Sequence, residues 1–210
     1  MIRLKSHFYA IVDPAGGHHP IELARILLDA GARVMQLRLK DWPARDFLAA
    51  ARAISRLCHE RGALFIVNDR ADIALLADAD GVHLGQTDIP LEGARKVMGT
   101  GKIIGISTAS VEAARAAEAG GADYIGFGPM YPGGLKDTKA GQGLANLRAV
   151  RAAVKIPIVA IGGITEATVA DVLDAGADAV AIITDVVKAP DIPAKVRAIV
   201  AAPRVARRFS

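Results

Sequence analysis

A helix-to-strand junction recurs along this chain, and it constrains the fold more than any other feature. Leu28-Asp29-Ala30-Gly31-Ala32 precedes Val34, Glu118-Ala119-Gly120-Gly121-Ala122-Asp123 precedes Tyr124, and Leu173-Asp174-Ala175-Gly176-Ala177-Asp178 precedes Ala179. These three copies place glycine where a helix C-terminus needs a residue tolerant of positive φ. Leu76-Ala77-Asp78-Ala79-Asp80-Gly81 before Val82 is a weaker copy. A β-like run follows each at once, as short helix-to-strand loops require. Apolar runs at 8–12, 34–39, 64–67, 81–84, 103–107, 124–127, 158–161 and 179–183 read as strands. Helical periodicity occupies 21–30, 44–60, 73–76, 91–98, 111–119, 144–154, 168–175 and 193–200. Alternation without a Gly/Pro/Ser linker predicts one (β/α)8 TIM barrel over residues 1–203. No Gly-x-Gly-x-x-Gly follows the first strand, which argues against an open dinucleotide-binding sheet.

Composition agrees with strands buried on both faces. The 210 residues are 52% apolar but only 4% aromatic, so the core must be Ala, Val, Ile and Leu. Net charge is +4, and Arg204, Arg207 and Arg208 lie in a basic tail, 204–210, that reads as disordered. With no basic stripe among interleaved aromatics, no nucleic-acid partner is expected. The apolar stretch from Phe8 stops at Asp13, too short for a signal-peptide core, and nothing approaches a membrane span. The lone Cys58 cannot form an internal disulfide, and a cytoplasmic location is expected.

Nearly every apolar run ends in a residue able to do chemistry, and such barrels carry their catalytic groups at the carboxyl ends of the strands. On the second run, Gln36, Arg38 and Lys40 share one face while Leu37 and Leu39 share the other. If the leucines meet the helices, the polar face points inward and up to the rim. Two cations there call for an anionic ligand or an internal ion-pair network. Asn68-Asp69 and Asp88 end consecutive runs. Either aspartate alone could cap a helix, but together they could share a hard cation such as Mg²⁺. Gly162-Gly163 and Ile183-Thr184 fall where many barrels bind phosphate. The glycine- and lysine-rich stretch 128–143 reads as a lid. His18 and His19 read as solvated, and His83 as a hydrogen-bonded histidine facing the barrel.

Taken together, Gln36-Leu37-Arg38-Leu39-Lys40, Asn68-Asp69 and Gly81-Val82-His83-Leu84-Gly85-Gln86-Thr87-Asp88 resemble the thiamine-phosphate synthase family. Gly105-Ile106-Ser107, Asp123-Tyr124-Ile125-Gly126-Phe127-Gly128-Pro129, Ile161-Gly162-Gly163-Ile164 and Ile183-Thr184 continue the likeness in order. The resemblance implies a Mg²⁺-dependent transferase. It would join 4-amino-2-methyl-5-(diphosphooxymethyl)pyrimidine to a thiazole phosphate through a pyrimidine carbocation, releasing pyrophosphate. It assigns residues 36–40, Asn68, Ser107 and Lys136 to the pyrimidine diphosphate, and Asp69 and Asp88 to Mg²⁺. Gly163, Ile183 and Thr184 go to the thiazole phosphate. Among these, Arg38, Lys40, Ser107 and Lys136 are the implied catalytic groups. The family's Thr-x-Thr-Lys loop is replaced here by Gly133-Gly134-Leu135-Lys136, so two hydroxyl contacts are expected to be lost unless Thr138 and Lys139 substitute. The resemblance leaves room for a homo-oligomer. Competing readings are a thiazole tautomerase and a non-catalytic phosphate-binding paralogue. Gly128-Pro129 and the retained acidic pair argue against the tautomerase.

Overall fold

A computed structural model describes residues 4–133 and 140–202. Expectations about Gly134, Leu135, Lys136, Thr138, Lys139 and the tail at 204–210 therefore lie outside the described residues. The strands are β1 Phe8–Val12, β2 Val34–Leu37, β3 Leu64–Asn68, β4 Gly81–Leu84, β5 Ile103–Thr108, β6 Tyr124–Phe127, β7 Ile158–Ile161 and β8 Ala179–Ile182. They pair in parallel and in sequence order, and β8 closes onto β1. Between them run α1 Pro20–Asp29, α2 Ala44–Glu60, α3 Ala71–Leu76, α4 Leu91–Met98, α5 Val111–Ala119, α6 Gly143–Ala153 and α7 Val169–Asp174. After β8 come a short α8, Thr184–Val187, and then α9, Ile192–Ala201.

The recurrent junction has two physical jobs. In the three full copies Gly31, Gly121 and Gly176 adopt φ of 111°, 89° and 120°, and Asp78 takes the same left-handed place in the weak copy at 50°. The alanine that follows donates its N–H back into the last helical turn: Ala32 to Leu27, Ala79 to Ala74, Ala122 to Ala117 and Ala177 to Val172. The next residue is aspartate in three cases, and it acts on the neighbouring strand. Asp80 accepts the N–H of Phe65, Asp123 that of Ile104, and Asp178 that of Ile158, at 2.7–2.9 Å. Each clamp ties the start of one strand to the start of the next, at the end of the barrel away from the carboxyl ends of the strands. Asp123 also holds Arg95 at 2.7 Å. Asp123→Ala is therefore expected to cost about 1–3 kcal/mol in urea denaturation.

The two-residue period sorts the strand side chains into two layers. An outer layer with Phe8, Met35, Leu37, Phe65, Val67 and Val82 packs on the helices. An inner layer with Tyr9, Ile11, Val34, Ile66, Tyr124, Val159, Ala179 and Ala181 fills the barrel. This layer consists of small and branched side chains around a tyrosine pair, as the low aromatic content requires.

Candidate active site

Extending the inner register toward the strand ends gives the rim. From Tyr9 and Ile11 it reaches Asp13, and from Val34 it passes Gln36 to Arg38. From Ile66 it reaches Asn68, and from Ile103 it passes Gly105 to Ser107. From Ile161 and Ile183 it runs into the β7 and β8 ends. The face assigned to Gln36, Arg38 and Lys40 is thus the inward one. Leu37 and Leu39 belong to the outer layer, at 0% and 5% exposure. Of those two residues, only main chain can reach a ligand in the barrel mouth.

Both rim cations are paired. Arg38 donates to Asp13, a nearly buried carboxylate whose other oxygen accepts the Ala15 N–H at 2.9 Å. Lys40 donates to Asp69. Asp13 was not among the sequence candidates, although it stands in register directly after the apolar run of β1. The internal ion pairs offered as the alternative to an anionic ligand are thus present in the structure.

Neither metal-candidate aspartate caps a helix. Arg70 precedes α3 and Pro90 precedes α4, and neither helix start has a side-chain cap. Asp69 instead sits at φ 64°, a left-handed backbone that aspartate tolerates better than most residues, with its N–H on the His83 carbonyl at 2.8 Å. Asp88 folds back to accept the Gly85 N–H at 2.6 Å. Partial burial and the adjacent Asp69 carboxylate both push the Asp88 carboxyl up, against the pull of the Gly85 N–H and Lys40. Two carboxylates facing each other in this way could hold a hard cation through oxygen alone. No group of three or more His, Cys, Asp and Glu gathers among the described residues. The pair therefore suits an ion that keeps waters and takes the rest of its ligands from substrate phosphate.

Beneath the rim Gln36, His83 and Ser107 are joined in one polar line by two tyrosines that were not among the sequence's candidate site residues. Gln36 Nε2 donates to the Tyr9 hydroxyl at 3.0 Å, and Tyr9 and Tyr124 share a 2.8 Å hydrogen bond. Tyr124 then meets His83 Nδ1 at 2.9 Å, and His83 Nε2 meets Ser107 Oγ at 2.9 Å. Burial pushes the His83 pKa down to about 4, only partly offset by Asp88, so the ring is neutral at physiological pH. His83 is thus hydrogen-bonded and faces the barrel, as expected. Missing side chains make room for the line. A Cβ on Gly105 would overlap the Tyr124 ring, and one on Gly126 would come within 2.9 Å of His83 Cε1.

Across the mouth, Gly162 and Gly163 turn with φ of 95° and 65°. The Gly162 carbonyl accepts the Met130 and Tyr131 N–H groups, which fastens the base of the β6–α6 loop to the β7 end. Behind β8, α8 starts at Thr184 with no side-chain cap. A short extra helix after the eighth strand is where phosphate sites of such barrels are commonly built. His18 is not solvated as expected, because its Nε2 lies 3.1 Å from the Val187 carbonyl of α8; His19 is exposed.

A groove of about 720 Å³ lies at the opposite end of the barrel, lined by Lys5, His7 and Arg33 among others. Each of these polar side chains is spent on backbone carbonyls, of Gly62, Ile199, and Leu28 and Ala32 respectively. No donors converge there, and the rim remains the candidate site.

Comparison with known proteins follows the geometry. The family model for thiamine monophosphate synthase matches residues 8–186. The chain is 50% identical over 183 residues to a thiamine-phosphate synthase of Moorella thermoacetica, covering 87% of each chain. It is 51% identical over 184 residues to one of Methanoculleus marisnigri, again covering 87% of each. Among solved structures, a thiamine phosphate pyrophosphorylase from Pyrococcus furiosus superposes with a TM-score of 0.86 at 39% identity, covering 93% of this chain and 94% of the other.

Proposed function

The chain belongs to the thiamine monophosphate synthase family of transferases, and on that premise we propose how its rim performs the coupling. The substrates are a pyrimidine carrying a methylene diphosphate and a thiazole phosphate, and the products are thiamine phosphate and pyrophosphate. The observation that carries this reading is the Asp69–Asp88 pair beside Arg38 and Lys40, opposite the glycine turn of β7.

Charge explains why a divalent cation is needed. Asp13, Asp69 and Asp88 against Arg38 and Lys40 leave one net negative charge on these five side chains. A diphosphate arriving alone would meet carboxylates already facing each other. Asp69 and Asp88 would hold Mg²⁺ there, and when bound it supplies charge stabilisation for the departing diphosphate. Arg38 and Lys40 change partners, from Asp13 and Asp69 toward the phosphate oxygens. Gln36 and Asn68, on adjacent strands, orient the pyrimidine, whose amino group feeds electron density toward the methylene carbon as its C–O bond breaks. The thiazole nitrogen then forms the new C–N bond. Main-chain N–H groups at Gly163, Ile183 and Thr184 hold the thiazole phosphate, so that this nitrogen is in line. The sequence candidates Gly133, Gly134, Leu135 and Lys136 are assigned to the substrates by the resemblance alone, Lys136 to the diphosphate, and all but Gly133 lie outside the described residues. No side-chain nucleophile is required.

The test is an assay of the purified protein with both substrates, with and without Mg²⁺. Thiamine phosphate and pyrophosphate are expected in equal amounts, only when both substrates and Mg²⁺ are present. Isomerised thiazole without pyrophosphate would instead indicate a tautomerase, and ligand binding without turnover a non-catalytic paralogue.

A further inference from the structure

The interior line of hydrogen bonds has a direction, and the direction determines what Ser107 can do. Gln36 Nε2 donates to Tyr9, so the single phenolic hydrogen of Tyr9 is left for Tyr124. Tyr124 therefore accepts from Tyr9 and gives its own hydrogen to His83 Nδ1. Burial pushes both phenols well above their ordinary pKa, so neither loses that hydrogen. An imidazole that accepts at Nδ1 carries its hydrogen on Nε2. That N–H points at Ser107 Oγ, 2.9 Å away. With Oγ already accepting, the serine hydrogen cannot point back at the ring and is left for another acceptor.

We propose that Tyr124 and His83 are positioning residues that commit the Ser107 hydroxyl to donate a hydrogen bond to the diphosphate as it leaves. This rests on the pyrophosphate-releasing reading above. The same geometry excludes another reading of the site. The Ser107–His83 separation matches that of a nucleophile and its base, yet a ring bearing hydrogen on Nε2 cannot take the serine proton. The pair is wired as a donor and not as a hydrolytic dyad. Gly105 and Gly126 belong to the same device, since a side chain at either would displace Tyr124 or His83.

Nitrogen-15 NMR of the full chain labelled at its five histidines reads the direction without turnover. The His83 signals, assigned by their loss in His83→Gln, are expected to show hydrogen on Nε2 and a bare Nδ1. Hydrogen on Nδ1 overturns the proposal whatever the activity of the enzyme. Kinetics supply the second arm. Tyr124→Phe removes the donor that fixes the tautomer, and should lower kcat about three- to tenfold, as expected for one hydrogen bond, with KM for the thiazole phosphate unchanged. In a Ser107→Ala background the same change should have no further effect on kcat. His83→Gln, whose amide reaches the Nε2 position, should retain more activity than His83→Asn, whose amide reaches only Nδ1. Equal losses from Tyr124→Phe in both backgrounds would show a merely structural tyrosine. A parent enzyme releasing no pyrophosphate would overturn the proposed reaction, while the NMR arm still decides the direction.

Discussion

Asp88→Asn is expected to lower pyrophosphate-releasing turnover at least about a hundredfold, roughly 3 kcal/mol in the barrier, while raising the melting temperature of the metal-free protein. The two effects share one cause. Asp88 is held beside Asp69, and burial together with that neighbour pushes its carboxyl up. A group with a raised folded pKa binds its proton more tightly in the folded state. Folding stability is therefore lost as pH rises from the unfolded pKa through the folded one. Asparagine carries no charge at any pH, so it escapes that loss, and its side-chain oxygen can still accept the Gly85 N–H. What it lacks is the negative charge with which Asp88 would hold a divalent cation. The parent enzyme should also need more Mg²⁺ as pH falls through the Asp88 titration, because proton and metal compete for one carboxylate. Turnover and Mg²⁺ titration unchanged in Asp88→Asn would reduce the pair to a structural contact.

Barrel and rim differ in how far local pattern reveals them. Helices at 91–98 and 111–119 match the periodicity residue for residue, since each is bounded by a strong punctuator: Pro90 and Gly99, Ser110 and Gly120. The second strand stops at Leu37, two residues before its apolar pattern does, because pairing there ends with the Arg38 N–H on the Val12 carbonyl. Helix α8 was hidden for a different reason. Thr184-Asp185-Val186-Val187 is one turn long, too short for a 3.6-residue period, and its β-branched residues extend the look of β8.

Among the candidate site residues, Arg38, Lys40, Asp69 and Asp88 could be singled out because each puts a charge at or just beyond the end of an apolar run. Tyr9 and Tyr124 were not, because an aromatic inside a strand reads as core. Their hydroxyl contact joins β1 to β6, strands that are not paired, and depends on the barrel diameter. No one-dimensional pattern carries that distance. Asp13 was visible only as the end of a run, and its partner Arg38 lies 25 residues away.

Gly163→Ala is expected to raise KM for the thiazole phosphate about ten- to a hundredfold, with KM for the pyrimidine diphosphate little changed. Gly163 adopts φ +65°, and an added Cβ would lie 2.8 Å from the Tyr131 carbonyl oxygen and 2.9 Å from that of Pro132. Both atoms are backbone of the β6–α6 loop, which is pinned at Met130 and Tyr131 and cannot yield locally. The backbone strain alone costs about 1–2 kcal/mol for a non-glycine residue. The clash adds to it and tilts the turn whose N–H groups are proposed to hold the phosphate. Gly62 separates the two contributions, because it has φ +62° with nothing within 4 Å of its added Cβ. Gly62→Ala should therefore lower stability by the strain alone and leave both KM values intact. In the proposed arrangement the pyrimidine diphosphate lies across the mouth, against β2, β3, Ser107 of β5 and the loop after β4, away from the β7 turn. Equal KM shifts for the two substrates in Gly163→Ala, or none for either, would remove the thiazole phosphate from the ends of β7 and β8.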